Sequence, residues 1–168
     1  MVEIDRDATS EIAALQEQIV QSTRGRFSPR ASVTAQIHNA IGRRRVDLCV
    51  AEGALVRSTN RATGKLVLFA GPLVALVSLE AVPHAHASAR EEWSIAVRML
   101  PRSSLRSAEL LSTHGGGDRL EPVEHSRLAW STRLRLHYAD TDPVEVGGPD
   151  GPELEPVLAV VLGDLEAS

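Results

Sequence analysis

LVLFAGPLVALVSL, residues 66–79, is the longest apolar run of the sequence. Gly71-Pro72 interrupts the run near its middle, and a Gly-Pro pair is typical of a turn between two short strands. A transmembrane helix needs about 20 consecutive apolar residues, so this shorter run predicts buried strands instead. Because its apolar residues are continuous, both faces of these strands are expected to be covered, which requires a second layer of structure.

The surrounding sequence contains further short runs of strand-forming residues. Four runs follow one another along the chain: Val46–Val50, Ala54–Arg57, Lys65–Ala70 and Leu73–Val82. Glu52-Gly53 and Ser58–Gly64 supply turn-forming residues between them. Consecutive strands with short connections favour an antiparallel meander.

Two later segments alternate between apolar and polar side chains, as strands with one buried face do. The first segment places four apolar residues on one face: Trp93, Ile95, Val97 and Met99. The second places five on one face: Leu128, Trp130, Leu134, Leu136 and Tyr138. Both tryptophans are therefore expected to point into the core.

Three other segments complete the interpretation of the C-terminal half. Ser103–Ser112 predicts a short helix. Asp140–Pro156 is rich in proline, glycine and acidic residues, and it predicts a loop. Val157–Leu162 is short and apolar, and it predicts a final strand.

Residues 8–22 predict a helix, because Ile12, Leu15 and Ile19 recur at the i, i+3, i+7 spacing of one helix face. The apolar stripe that they form is narrow. This face is therefore expected to pack either on its own domain or on a second chain.

A second helix is predicted directly after the first. Val33, Ile37 and Ile41 repeat at helical spacing, with Ser28 as a candidate N-cap and Gly42 as a candidate terminator. The alternative is a strand through the same apolar residues.

These patterns predict an α+β fold, in which an N-terminal helix or helix pair precedes an antiparallel β-sandwich or strongly curved sheet with one short inserted helix. We divide the chain into a helical N-terminal segment, residues 1–45, and a β-rich domain, residues 46–168. The β-rich domain is expected to include an acidic flexible loop at residues 140–156.

Charge is distributed unevenly along the chain, whose formal net charge is −4. Residues 24–45 contain no acidic residue, and we call their arginines the basic collar: Arg24, Arg26, Arg30, Arg43, Arg44 and Arg45. Residues 139–168 contain eight acidic residues and no basic one, and we call them the acidic tail. Such segregation indicates contacts between charged segments or with partners.

The sequence contains no complete catalytic motif. It has no G-x-S-x-G nucleophile turn, and Gly64-Lys65 is followed by Leu66 where a phosphate-binding loop has Ser or Thr. The single cysteine, Cys49, excludes an internal disulfide framework and a multi-cysteine zinc site. We therefore expect a protein that is not an enzyme and has no cofactor.

The function that these observations favour is a non-enzymatic structural or interaction subunit of a larger protein assembly. The candidate interaction residues are Ile12, Leu15, Ile19, Arg43, Arg44 and Arg45. We expect protein partners or self-association, no nucleic acid and no membrane span. Met1–Asp5 lack the basic and apolar regions of a secretory signal, so we expect a cytoplasmic location.

Two other functions are alternatives. His84 and His86 would project from the same side of an extended segment, as imidazoles that bind a metal do, although their spacing indicates no third ligand. This pattern favours a small-ligand-binding or metal-binding β-domain. The second alternative is a nucleic-acid-binding module, in which the basic collar contacts phosphates. It is weakened because 17 of the 18 basic residues are Arg, a bias that a GC-rich gene explains.

Overall fold

The computed structural model describes residues 6–56, 61–83, 93–113, 131–147 and 154–167. The elements in chain order are α1 (Arg6–Ser22), α2 (Ala31–Ala40), β1 (Leu48–Val56), β2 (Arg61–Ala70), β3 (Leu73–Pro83), β4 (Ser94–Pro101), one 3-10 turn (Arg102–Ser104), β5 (Leu105–Thr113), β6 (Ser131–Tyr138), β7 (Val144–Gly147) and α3 (Glu155–Glu166). β1–β4 form an antiparallel meander, and β5–β7 form a second antiparallel sheet. The predicted α+β class, with an N-terminal helix pair and antiparallel sheets, is confirmed.

The four-stranded sheet carries a hydrophobic core on each of its two faces. In β2, Leu66 and Leu68 belong to the first core, whereas Val67 and Phe69 belong to the second. This division follows from the strand, since successive side chains point to opposite faces. α1 and α2 cover the first core, and β5–β7 cover the second together with α3. The apolar run of residues 66–79 is therefore covered on both sides, as predicted.

α1 and α2 pack as a pair against the first core. Leu15 and Ile19 of α1 are 2% and 0% exposed, and Val33 and Ile37 of α2 are fully buried. In each helix these two apolar residues are one turn apart, so they lie on one face. Both predicted helices are confirmed, and the strand alternative for the second one was wrong.

One end of α2 differs from the prediction. Gly42 follows the helix as expected, with φ of +73° and its N–H donating to Asn39 O at 3.0 Å. At the other end the N-cap residue is Arg30, so the prediction of Ser28 as the cap was wrong. The reason is that Arg30 N donates to Pro83 O at 3.4 Å, which ties the backbone before the helix to β3.

β1 runs without interruption through Glu52-Gly53, so the turn predicted there was wrong. Gly53 lies directly opposite Gly64 on β2. A Cβ atom on Gly64 would lie 2.7 Å from Gly53 Cα and would also collide with the carbonyl oxygen of Glu52. Gly64, predicted in a connection, is therefore a strand residue that permits the close approach of two backbones.

β5 occupies most of Ser103–Ser112, so the helix predicted there was wrong. Only the 3-10 turn Arg102–Ser104 precedes the strand. β5 pairs along its length with β6, and Leu105 is 1% exposed in the second core. Pairing and burial thus outweigh the helix propensity of this segment.

The C-terminal segment is helical, so the strand predicted at Val157–Leu162 was wrong. Val157 and Val161, one helical turn apart, are 1% and 0% exposed in the second core. The loop predicted at residues 140–156 contains β7, which pairs with β6 and buries Val146. β7 and α3 together close the second core.

The two alternating segments form β4 and β6, as predicted. In β6 the apolar side chains from Leu134 to Tyr138 are at most 3% exposed. Trp93, directly before β4, is half-buried against the first core rather than fully enclosed. Leu128 and Trp130 lie outside the residues that the structure describes.

Candidate functional site

The apolar face of α1, one of the two predicted interaction surfaces, points into the chain's own core. Leu15 and Ile19 are almost fully buried there, and Ile12, one turn earlier, is half-buried. Of the two alternatives that the sequence allowed for this face, packing on its own domain is the one that the structure shows. Leu15 and Ile19 are therefore enclosed within the chain.

Arg43, Arg44 and Arg45 form the other predicted interaction surface, and all three are exposed. We call them the arginine triplet. Two buried residues flank the triplet, Ile41 at 0% exposure and Val46 at 7%. The three side chains therefore stand on a short connection that the first core anchors at both ends.

The arginine triplet has no acidic partner in the described part of the chain. Arg43 Nε donates to Asn39 Oδ1, a neutral amide oxygen, at 3.2 Å. Arg44 and Arg45 make no hydrogen bond or ion pair with the residues that the structure describes. Because a guanidinium group is permanently charged and carries five N–H donors, the triplet presents unmatched positive charge.

The acidic tail pairs with arginines outside the basic collar. Asp164 Oδ1 lies 2.5 Å from Arg102 Nη2, and Glu145 Oε1 lies 2.6 Å from Arg135 Nη2. The hydrogen bond from Arg135 holds the pKa of the Glu145 carboxyl below its usual value. Within the described ranges, these two acidic residues of the tail therefore pair with arginines of the β-rich domain and not with the arginine triplet.

A depression of about 340 Å³ lies beside the arginine triplet, between α1 and the connection that leads to β1. We call it the α1 depression. Its lining includes Glu11, Gln18, His38, Arg44, Arg45 and Asp47. Gln18 Nε2 donates to Val46 O at 3.1 Å, which fixes this wall to the connection. The depression is thus a preformed polar surface with two arginines of the triplet in it.

Glu11 and His38 join the two N-terminal helices at this depression. His38 Nε2 lies 3.0 Å from Glu11 Oε2. His38 is 1% exposed, and a buried imidazole needs such a partner. The pair therefore holds α2 against α1 and fixes the shape of the depression.

The arginine triplet supplies charged hydrogen-bond donors, whereas the single cysteine of the chain is held in its neutral form. Burial raises the pKa of the Cys49 thiol to about 12, so its sulfur stays protonated at neutral pH. No three His, Cys, Asp or Glu residues in the described ranges are grouped to hold a metal ion. His84 and His86 lie outside those ranges, so the metal site stays a prediction. What the triplet can do chemically is hold a carboxylate with forked, charge-assisted hydrogen bonds.

Several residues that line the two concave surfaces of the structure were not predicted from the sequence. Glu11 and Gln18 are two helical turns apart beside the apolar stripe of α1, and this spacing was the available signal for them. His38 carried no such signal. Lys65 was also missed, and together with Arg98 it lines a cleft between the two sheets. The sequence signal for this cleft was a basic side chain that lies on the same face of its strand as apolar side chains.

None of the helices in the described ranges is both long enough and apolar enough to cross a membrane. No protein-family model matches the chain, no curated protein is significantly similar to it, and no solved structure matches it.

Proposed function

We propose that the protein is a non-enzymatic interaction subunit of a protein assembly, and that the arginine triplet binds an acidic segment of its protein partner. The observation that supports this proposal is the exposure of three consecutive arginines without a carboxylate partner in the described chain. Exposed charge of one sign steers an oppositely charged partner and selects its orientation.

The α1 depression suits an acidic segment better than an isolated ion. Arg44 and Arg45 both line it, so a carboxylate that contacts them brings the rest of its segment over a concave surface. Arginine binds carboxylates with two parallel hydrogen bonds, which adds geometric selectivity to the attraction. The fixed helix pair keeps this surface in one shape, which lowers the entropy cost of binding.

A nucleic acid would meet the same arginines through its phosphates, but two observations favour a protein. The chain is acidic overall, with a formal net charge of −4. No Phe, Tyr or Trp is among the residues that line the α1 depression in the described chain, so bases find no stacking partner there.

The experiment measures binding of a fluorescein-labelled oligoglutamate peptide and of a labelled single-stranded oligonucleotide of equal charge. Fluorescence anisotropy is recorded at low and at physiological salt. The test variant is Arg44→Glu with Arg45→Glu. The control is Arg24→Glu with Arg106→Glu, which changes two exposed arginines by the same total charge outside the depression.

We expect the wild-type protein and the control to bind the peptide, and the test variant to bind it at least about tenfold more weakly at low salt. Circular dichroism should be the same for all three proteins. Equal peptide affinity of the test variant and the control would remove the triplet from the mechanism. Tighter binding of the oligonucleotide than of the peptide would instead favour the nucleic-acid reading.

A further inference from the structure

A second concave surface lies between the four-stranded sheet and the β6–β7 hairpin, on the side of the sheet away from α1 and α2. It has a volume of about 200 Å³, and we call it the inter-sheet cleft. Val50, Val67 and Leu76 of the sheet and Val144 and Val146 of β7 form its apolar walls. The cleft is therefore an extension of the second core that reaches the surface.

Three polar side chains of the sheet stand together in this cleft. Lys65 lies directly opposite Ser78 on the neighbouring strand, and Arg98 lies opposite Leu76, two residues from Ser78. Directly opposite side chains have Cβ atoms about 4.5–5.5 Å apart, and diagonal ones about 7–8 Å, which long side chains span. Lys65 and Arg98 are thus arranged on either side of the Ser78 hydroxyl.

Neither cation of this group has an acidic partner within ion-pair distance. Lys65 makes no hydrogen bond or ion pair with the residues that the structure describes. Arg98 Nη1 donates to the neutral hydroxyl of Thr141 at 2.7 Å. Both side chains are exposed at the opening of the cleft. Two positive charges therefore stand beside one hydroxyl without a counter-charge bound to them.

Two of the acidic residues in the cleft are already engaged. Glu145 Oε1 accepts a hydrogen bond from Arg135 Nη2 at 2.6 Å. Glu52 Oε1 accepts a hydrogen bond from the backbone N–H of Gly147. The third, Asp142, is exposed between β6 and β7. Glu52 also lies directly opposite Lys65 on β1 and attracts it, although the two side chains do not come within ion-pair distance. Lys65 and Arg98 are the charged side chains that flank the Ser78 hydroxyl from the two neighbouring strands.

We propose that the inter-sheet cleft binds a small organic carboxylate with an apolar body. Its carboxylate contacts Lys65, Ser78 and Arg98, and its body packs on Val67 and Leu76. The cleft is smaller than the about 300–1,000 Å³ of typical drug-sized pockets, so the body has only a few carbon atoms. This site is separate from the arginine triplet, and the proposal does not depend on the function proposed there.

The experiment compares three probes with the same alkyl chain: hexanoate, hexylammonium and 1-hexanol. Affinities are measured by titration calorimetry at low salt, and methyl NMR spectra locate the binding site. We expect hexanoate to bind at least about tenfold more tightly than hexylammonium. Its titration should shift the methyl signals of Val67 and Leu76.

Two variants separate the charge from the apolar walls. Lys65→Met and Arg98→Met each keep an apolar stem of similar length and remove one cation. Each is expected to weaken hexanoate binding by about tenfold and to leave 1-hexanol binding unchanged. Arg106→Met, an exposed site on β5 outside the cleft, is the control and should bind hexanoate like the wild type.

Three results would overturn the proposal. One is equal affinity for hexanoate and hexylammonium, which would mean that the cations do not select the ligand. Another is a set of methyl shifts confined to residues outside the cleft. The last is the absence of saturable hexanoate binding up to about 10 mM in a wild-type protein whose circular dichroism shows that it is folded.

Discussion

Arg102 and Asp164, 62 positions apart in the sequence, form a two-pronged ion pair. Arg102 Nε lies 2.9 Å from Asp164 Oδ2, and Arg102 Nη2 lies 2.5 Å from Asp164 Oδ1. The same guanidinium donates to Gly71 O at 3.0 Å and lies 5.8 Å from the centre of the Phe69 ring. One arginine thus ties α3 to the turn between β2 and β3.

Asp164→Asn is expected to lower the free energy of unfolding by about 1–3 kcal/mol, because it removes the charge from a pair whose side chains are only 24% and 11% exposed. Urea denaturation at neutral pH measures the loss. Arg133→Met is the control, since its ion pair with Glu145 spans 3.4 Å and Arg133 is 50% exposed, so a much smaller loss is expected. Equal losses would show that the Asp164 pair contributes no more than a surface pair.

Gly64→Ala is expected to destabilise the protein by about 1–3 kcal/mol, because the added Cβ meets the backbone of Glu52 and Gly53. Gly53→Ala is the matched control from the opposite strand. Its Cβ would lie 3.6 Å from Thr63 O, which is ordinary contact. Thermal unfolding of both variants tests the difference. A Gly53→Ala variant that is the less stable of the two would contradict the register of β1 and β2.

Glu52 connects the two sheets through its hydrogen bond from Gly147 N. Burial raises the pKa of Glu52 above its usual value of 4.5, although this hydrogen bond opposes the shift. The folded protein therefore holds the Glu52 proton more tightly than the unfolded chain does. The resulting stabilisation is complete below the unfolded pKa and is lost as pH rises through the folded pKa.

The stability of Glu52→Gln relative to the wild type should therefore increase as the pH rises from about 4 to about 7. The wild type loses stability over this range, whereas the amide of the variant does not ionise and still accepts the hydrogen bond from Gly147. Chemical denaturation at both pH values measures this difference. Glu52→Ala leaves the buried Gly147 N–H without its partner and should cost about 1–3 kcal/mol at neutral pH. If the stabilities of the wild type and of Glu52→Gln changed in parallel with pH, the Glu52 carboxylate would not be the cause of the pH dependence.

Leu15→Ala and Ile19→Ala should each lower the free energy of unfolding by about 2–5 kcal/mol, because both side chains are buried in the first core. Ile12→Ala should cost less, since Ile12 is only half-buried. Calorimetry measures stability, and light scattering measures the association state. Loss of association without loss of stability in Leu15→Ala would assign the α1 face to an interface after all.

The parts of the fold that local pattern determines were predictable. β2 and β3 follow from the continuous apolar run around Gly71-Pro72, and α1 follows from its helical spacing. α3 was missed because a short apolar run such as Val157–Leu162 fits a buried strand and a buried helix equally well. The better signal was Val157, Val161 and Leu165, which recur every four residues.

The candidate sites depend on contacts that local pattern does not encode. The exposure of Arg43–Arg45 follows from their charge, so their place on the surface was predictable. His38 and Glu11 lie 27 residues apart, and only the packing of α1 on α2 brings them together. In the same way, Lys65, Ser78 and Arg98 come together only through the register of three strands.

The two cores of the four-stranded sheet draw on different lengths of the chain. Among the described residues, every member of the first core lies between Leu15 and Val97, whereas the second core also needs Val157 and Val161. On a ribosome, the first core can close once β4 has emerged, while the face that carries Phe69 still lacks its cover. About 60 further residues must be made, which takes about 3–12 seconds at 5–20 residues per second. We expect that face to be where chaperones bind the nascent chain.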